Sequence, residues 1–291
     1  MASFNPMAEA LKRLRLESKQ LKNSNSSITK SKTTTMLEKK SPSEPKGPIY
    51  IERIFQVSLK ENLNVQLRIM QNPSGIQYGH GATVWDSAIL LSNYLSKHEG
   101  RELMEPEINV LSLGCGCGLS GLVASIFGCN VTLTDLSNVL PLTKLNIDKN
   151  NDALRVAIAF SKEKHDDVVL AKPVVCGAID WRTTEDDFIG RKFDTIIAAD
   201  LMYDPKLAIP LAATVARFAT PTTTVLIAHE HRKDSVDVKF INAFRDHNLI
   251  FEEVERKGRW AEDLSLYKLV VGVPSETNKS SLSDMLDHKL K

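Results

Sequence analysis

The chain has 291 residues, 42% of them hydrophobic and 25% charged, which allows one large domain with tails or two small ones. Its formal net charge of +1 argues against a generally basic nucleic-acid binder. No apolar run is long enough to span a membrane, and the N-terminus lacks the apolar core of a secretory signal.

The charge is uneven. Residues 1–46 hold ten Lys/Arg against four Asp/Glu and the remainder 27 against 32, so a basic arm precedes a mildly acidic body. Within residues 1–47, Met7, Leu11, Leu14 and Leu21 have helical spacing, whereas 23–47 are rich in Ser, Thr and Lys and cannot bury a core. The arm is expected to be a solvated tail with a short helix. Order is expected from Pro48. Tyr50 to Val57 and Val65 to Met70 alternate apolar and polar residues around Lys60-Glu61-Asn62, a hairpin pattern. A glycine-punctuated loop, Gly75 to Gly81, leads to Trp85 and a helix over Ala88 to Leu95, for which Asp86 is a candidate cap. Trp85 reads equally well as a core anchor or as a pocket wall.

Val110 to Leu113 is a short apolar run, followed by four glycines within eight positions, Gly114, Gly116, Gly118 and Gly121, and then by an apolar helical segment, Leu122 to Phe127. Strand, glycine turn and helix open a βαβ unit that binds a nucleotide-like ligand. Glycine keeps the turn tight and the backbone open to the ligand, and the helix N-terminus offers free N–H groups. Asn130 to Asp135 reads as the second strand. Asp135 follows Gly116 by 19 positions, close to the roughly 20 expected of a ribose-binding acid. The bland alternative makes the glycines ordinary turn residues and Asp135 a helix cap.

Further along, Ser137 to Asp148 reads as a helix that tolerates Pro141 in its first turn. Residues 151–172 form an irregular insertion. Val174 to Ile179 is a third strand ending at Asp180-Trp181, and Phe193 to Ala199 a fourth, followed by Asp200-Leu201-Met202-Tyr203. A helix over Leu207 to Phe218, a strand over Thr223 to Ala228 ending in His229-Glu230-His231-Arg232, and a helix over Val236 to Phe244 come next. Leu249 to Val254 and Tyr267 to Val273 are late strands with no comparable helix between them. The pattern predicts a mostly parallel sheet with helices on both faces and one antiparallel strand near the end. Asp135, Asp180, Asp200 and His229 fall at strand C-termini, where open α/β sheets bind ligands. Cys115, Cys117, Cys129 and Cys176 lack metal-site spacing and read as free thiols of a reducing compartment. The expected organisation is an arm over 1–47, one domain over 48–273 and a polar tail over 274–291.

Taken together, the GxGxG turn, the acid ending the second strand, the late strand pair and D-x-x-Y after the fourth strand resemble a seven-β-strand (class I) S-adenosylmethionine-dependent methyltransferase. More narrowly they resemble the DxxY protein-lysine methyltransferase group, through Thr83-Val84-Trp85-Asp86-Ser87, Leu113 to Gly121, Leu133-Thr134-Asp135, Asp180-Trp181 and Ala199 to Tyr203. The resemblance covers roughly 48–273 and implies a Rossmann-like sheet with an added N-terminal hairpin. It departs at Ser112, where the family usually carries Glu, and at Cys117, where Thr or Ser is common.

The resemblance implies S-adenosyl-L-methionine as cofactor. Gly114, Gly116 and Gly118 would admit its methionine portion, Asp135 would hold the ribose hydroxyls, Asp180 and Trp181 would read the adenine, and Trp85 and Ala199 would line the site. Asp200 and Tyr203 would face the methyl acceptor, a lysine ε-amine on a non-histone protein substrate, in a cytoplasmic, also nuclear, monomer that uses neither membrane nor nucleic acid. No metal is expected. His229 and His231 are left outside the catalytic set, as strand-end residues satisfied by ordinary hydrogen bonds. Three rivals stay open. Gly116 to Gly121 is also G-x-G-x-x-G, which suits a nicotinamide-dependent oxidoreductase. An RNA or small-molecule methyltransferase would use the same cofactor. A non-catalytic cofactor-binding partner protein would use the fold alone.

Overall fold

The central strands carry apolar side chains on both faces, which calls for helices on either side. The computed structural model describes residues 49–60, 63–155, 173–184, 187–254 and 262–272. The basic arm, most of the 151–172 insertion and the polar tail lie outside the described residues.

Strands β1 (Ile51–Lys60) and β2 (Leu63–Gln71) form the expected hairpin as a separate two-stranded sheet, each longer than the alternation suggested. Helix α1 (Asp86–Leu95) follows a 3-10 stretch over Ile76–Ala82. Its N-cap is Trp85, and no side-chain bond closes that end, so the capping role expected of Asp86 is not filled; Asp86 is simply an acid in the first turn. Strand β3 (Asn109–Leu113), helix α2 (Leu119–Ile126) and strand β4 (Asn130–Asp135) make the glycine unit. Helix α2 begins three residues earlier than the apolar pattern showed, because Gly118 turns the chain at φ 86°. Helix α3 (Leu140–Lys149) starts later than expected, since the Val139 amide donates to Leu136 in a preceding turn.

Strand β5 (Val175–Ala178) is short, and Ile179 already lies beyond it. Strand β6 (Thr195–Ala199) and helix α4 (Ala208–Phe218) are joined through a 3-10 turn, Pro205–Leu207, whose cap is Asp204. Strand β7 (Thr224–Glu230) runs two residues past its apolar core, which places His229 inside the sheet. Helix α5 (Asp234–Asp246) and strands β8 (Leu249–Glu253) and β9 (Leu264–Val271) complete the described chain.

The sheet order is β5-β4-β3-β6-β7-β9-β8. All neighbours are parallel except β9, which runs antiparallel to both β7 and β8. The chain starts at β3, winds outward through β4 and β5, and returns to place β6 on the other side of β3. The crevice outside the C-terminal ends of β3 and β6 is thus a topological switch point. Side chains alternate across the sheet with period two. Val110, Ile197 and Leu226 join the core under α1, α2 and the hairpin, while Leu111, Ile196, Val225 and Ile227 join Phe218, Phe240 and Phe244 under α4 and α5.

The hairpin is attached by an unusual device. Asn146 on α3 accepts from the Met70 amide (2.7 Å) and donates to the Met70 carbonyl (3.0 Å). One turn on, Asn150 does the same with Arg68 (2.8 and 3.0 Å). Four helical residues rise about 6 Å and two strand residues about 6.7 Å, so two amide side chains can imitate a neighbouring strand. Asn146 is fully buried and also donates to the Cys117 carbonyl (2.9 Å), tying the hairpin to the glycine turn. Asn146→Ala should therefore cost roughly 2–3 kcal/mol, from buried groups left without partners. Urea unfolding should show the lower midpoint, and hydrogen exchange at the Met70 amide should accelerate.

Candidate active site

A cavity of about 400 Å³ opens at the switch point, within the range of roughly 300–1,000 Å³ typical of small-molecule sites. Its floor is the glycine turn. Gly114 and Gly116 have φ near +53° and +52°, conformations that side chains rarely adopt. A Cβ on Gly114 would lie 2.5 Å from Leu201 Cδ2 and 3.0 Å from Trp181, and one on Gly116 would lie 3.1 Å from the Gly81 carbonyl oxygen. The turn is held from below: Thr143 Oγ1 donates to the Gly116 carbonyl (2.7 Å) and the Cys115 amide donates to Thr134 (2.9 Å).

Asp135 ends β4 at the cavity wall. One carboxylate oxygen accepts from the Gly116 amide (2.7 Å) and the other from the Leu136 amide (2.8 Å). Each oxygen keeps a second lone pair for a ligand. Burial pushes this carboxyl up from 3.8 to about 6, and the two backbone bonds only partly oppose the shift. Burial likewise pushes the Cys117 thiol up to about 12 and Cys115 well above the usual thiol range, so both cysteines are inert fillers of the turn.

The opposite wall is aromatic. Trp85 is 38% exposed and lines the cavity, its indole N–H donating to the His80 carbonyl (3.0 Å). Of the two readings of Trp85, the structure selects the pocket wall. The Tyr203 ring stands 5.3 Å from that of His80. Burial first, then the nearby carboxylates Asp135 and Asp204, raise the Tyr203 phenol above its ordinary value, so it carries its proton at neutral pH.

Beside Tyr203, Asp200 sits in a left-handed conformation (φ 59°), 7% exposed. Both its oxygens are taken by Arg232, at 2.7 and 2.6 Å, a forked charge-assisted pair. The same guanidinium reaches Glu230 (2.7 Å) and lies 5.7 Å from the Trp85 ring centroid. Behind the pair, Asp237 bridges two histidines: one oxygen bonds His229 Nε2 (2.8 Å) and the other His231 Nδ1 (2.7 Å), while His231 Nε2 continues to Ser265 (2.9 Å). His229 is fully buried, and among the described residues its Nδ1 has no partner within hydrogen-bond distance; Asp200 Oδ1 lies 4.0 Å away. Among the described residues, these three are the one group of potential metal ligands with donor atoms within 4.8 Å of one another. Each Asp237 oxygen serves a separate ring, so the arrangement is a hydrogen-bonded bridge between α5 and β7.

The structure thus gathers Trp85, Gly114, Gly116, Asp135, Trp181, Ala199, Asp200 and Tyr203 around one cavity. Gly118 stands behind it, at the N-cap of α2. Asp180 does not line it: both its oxygens bond Arg182, two residues on, which holds the carboxyl below its usual range. His229 lies beneath the cavity and not at its edge. Asp200 does not cap the helical turn that follows; Asp204 does, its side chain accepting from the Lys206 amide (2.9 Å). Sequence reasoning missed Arg232, His80 and Gly81. The run His229-Glu230-His231-Arg232 after a strand was the signal for the first, and the glycine loop 75–81 for the other two.

A family model described as lysine methyltransferase matches residues 61–247. The EEF1A lysine methyltransferase 3 of Xenopus tropicalis is 26% identical over 223 residues, covering 77% of this chain and 89% of that one. A human sequence described as a putative methyltransferase-like protein 21E pseudogene is 30% identical over 194 residues, covering 66% of this chain and 64% of its own, so the match spans slightly less than two thirds of that relative. Among solved structures, a methyltransferase from Pyrococcus furiosus aligns over 64% of this chain and 83% of its own, with a TM-score of 0.46 at 14% identity.

Proposed function

The chain belongs to the lysine methyltransferase family, and on that premise we propose that it binds S-adenosyl-L-methionine in this cavity and methylates the ε-amine of a lysine on a non-histone protein. The observation that carries the reading is the pairing of a glycine cradle, which any Cβ would fill, with the Asp135 carboxylate across the same cavity. Asp135 holds the ribose hydroxyls. The backbone at Gly114 and Gly116 meets the methionine end, with Gly118 shaping the turn. Trp181 meets the adenine, and Trp85 and Ala199 close the wall.

When bound, the cofactor supplies a methyl group already activated on a positively charged sulfur. The protein's task is to present a neutral amine in line with it. A lysine of pKa near 10.4 is neutral about one time in a thousand at pH 7.4, a penalty of roughly 4 kcal/mol, which a dry channel reduces by disfavouring the charged form. Tyr203, protonated and at the mouth, accepts an amine N–H and so aims the nitrogen lone pair. Tyr203→Phe should slow transfer about tenfold and leave cofactor affinity within about twofold, since only the acceptor loses a bond. Single-turnover rates set beside calorimetry would check this; an equal loss in both assays would remove Tyr203 from the role.

In this reading the protein acts as a monomer in the cytoplasm and nucleus, without a nucleic-acid substrate. The acidic balance of residues 47–291 supports the last point, because a phosphate backbone would be repelled. Among the described residues no helix is long and apolar enough to cross a membrane. The decisive experiment incubates the purified chain with methyl-labelled cofactor and a lysate from cells lacking it, followed by mapping of the labelled residue. Label on lysine is the expected result; label on histidine, arginine or RNA, or uptake of a nicotinamide dinucleotide in its place, would overturn the proposal.

A further inference from the structure

The acceptor end contains a contradiction that the lysine reading has to resolve. A buried carboxylate beside the reacting amine would favour the ammonium form, which has no lone pair to attack with. Asp200 is such a carboxylate, with a side chain only 4% exposed. Yet both its oxygens are engaged by Arg232, which lines the same cavity and is braced by Glu230 and the Trp85 ring.

We propose that Arg232 is a positioning residue of the reaction: by occupying both oxygens of Asp200, its guanidinium cancels the charge that would hold the incoming lysine as an ammonium, so the amine reaches the methyl donor neutral. The inference rests on the lysine reading above and adds to it the group that sets the amine's protonation. Glu230, 30% exposed, stands at the outer end of the same guanidinium. A lysine entering as a cation meets Glu230 first and the Asp200–Arg232 pair deeper in, and its proton leaves outward to solvent. The C–N bond then forms as the C–S bond breaks, and the sulfur keeps the bonding pair. The hydrogen bond to Asp200, aided by the charges of Asp200, Glu230 and Asp237, keeps Arg232 firmly protonated.

The ionisable groups facing this end are Asp200 just past β6, His229 and Glu230 from β7, Asp237 from α5, Tyr203 and Asp204 from the turn before α4, His80 from the covering loop, and the more distant Asp135 and Arg182. Comparing a variant with the wild type at each pH cancels the titrations common to both. Removing the guanidinium leaves Asp200 unpaired and should raise the amine pKa by about 1–3 units. The test uses the full chain, tritiated S-adenosyl-L-methionine and a heat-inactivated lysate of cells lacking the protein, and counts label on lysine.

With the wild-type amine lowered to about 8.5 by the dry channel and raised by about one unit in the variant, Arg232→Gln should be slower than wild type by about tenfold at pH 7.5 and within about threefold at pH 9.5, because the deficit in neutral amine closes as pH reaches the raised pKa. Cofactor affinity by calorimetry should stay within about twofold. Arg232→Lys, which keeps a charge but not the fork, should fall between the two and serves as the test if the glutamine variant does not fold. A deficit of equal size at both pH values, no deficit at all, or a matching loss of cofactor affinity would overturn the role of Arg232. Absence of lysine label from the wild type at every pH would instead overturn the lysine reading beneath it.

Discussion

Asp135→Ala should lower affinity for S-adenosyl-L-methionine by about 100-fold or more. Two hydroxyl hydrogen bonds to one carboxylate are worth about 1.5–3 kcal/mol each, so even the low end, about 3 kcal/mol, exceeds a 100-fold change in Kd. The loss should be visible by calorimetry on folded protein. Its pH dependence identifies the group. With its carboxyl raised to about 6, wild-type Asp135 must shed a proton before the hydroxyls can bind the charged form. Affinity should be flat above that pH and weaken by up to tenfold per unit below it, and Asp135→Asn should abolish the slope. A variant that binds as tightly as the wild type would remove the ribose assignment.

The same shift affects stability with a definite sign. The unfolded carboxyl ionises near 3.8 and the folded one near 6. Between those values the native state holds the extra proton, so this group's contribution is present below about pH 4 and lost as pH rises to about 6. Asp237 behaves oppositely. Burial pushes its carboxyl up, but hydrogen bonds from His229 and His231 outweigh that and hold it at about 2. Its contribution is present above about pH 4 and disappears as pH falls through about 2.

Asp237→Ala is expected to be the most destabilising of the substitutions considered, by roughly 3–5 kcal/mol. The Asp237 side chain is 12% exposed and bonds one nitrogen of a fully buried imidazole on β7 and one of a second imidazole on the following segment, so its removal leaves one nitrogen of each ring without that partner. Against a total stability of about 5–15 kcal/mol, that should lower Tm by about 5–10 °C for a chain of this size. Calorimetric scans on the cofactor-free protein would measure it. A change under about 1 kcal/mol would mean that the bridge is not what joins α5 to the sheet.

These two aspartates also show what the sequence made legible. Asp135 could be read because its meaning is local: a strand, a glycine turn and an acid at a fixed interval all refer to one βα unit. The parallel sheet and the late antiparallel strand could be read because apolar runs alternate with helical spacing until Val254 and then do not. Arg232 could not be read in the same way, since its partner Asp200 lies 32 positions earlier and the two meet only because β6 and β7 are neighbours. Asp180 looked like a site residue because it follows a strand, but Arg182, two positions on, claims its carboxylate. Asn146 and Asn150 gave no signal, because asparagine on a helix ordinarily faces solvent. Here a strand's bare backbone supplied their partners.

The place of β9 between β7 and β8 has a consequence for how the protein is made. β7 sets His229 beneath the cavity and leads to Arg232, but its outer neighbour and the Ser265 and Tyr267 contacts to His231 come from residues 264–271. A ribosome delivers those residues seconds after β7 itself. The acceptor end is therefore set only after residues 264–271 have been made, later than the cofactor cradle at Gly114. A released chain truncated after residue 254 should expose β7 to protease, whereas one extending past residue 272 should not.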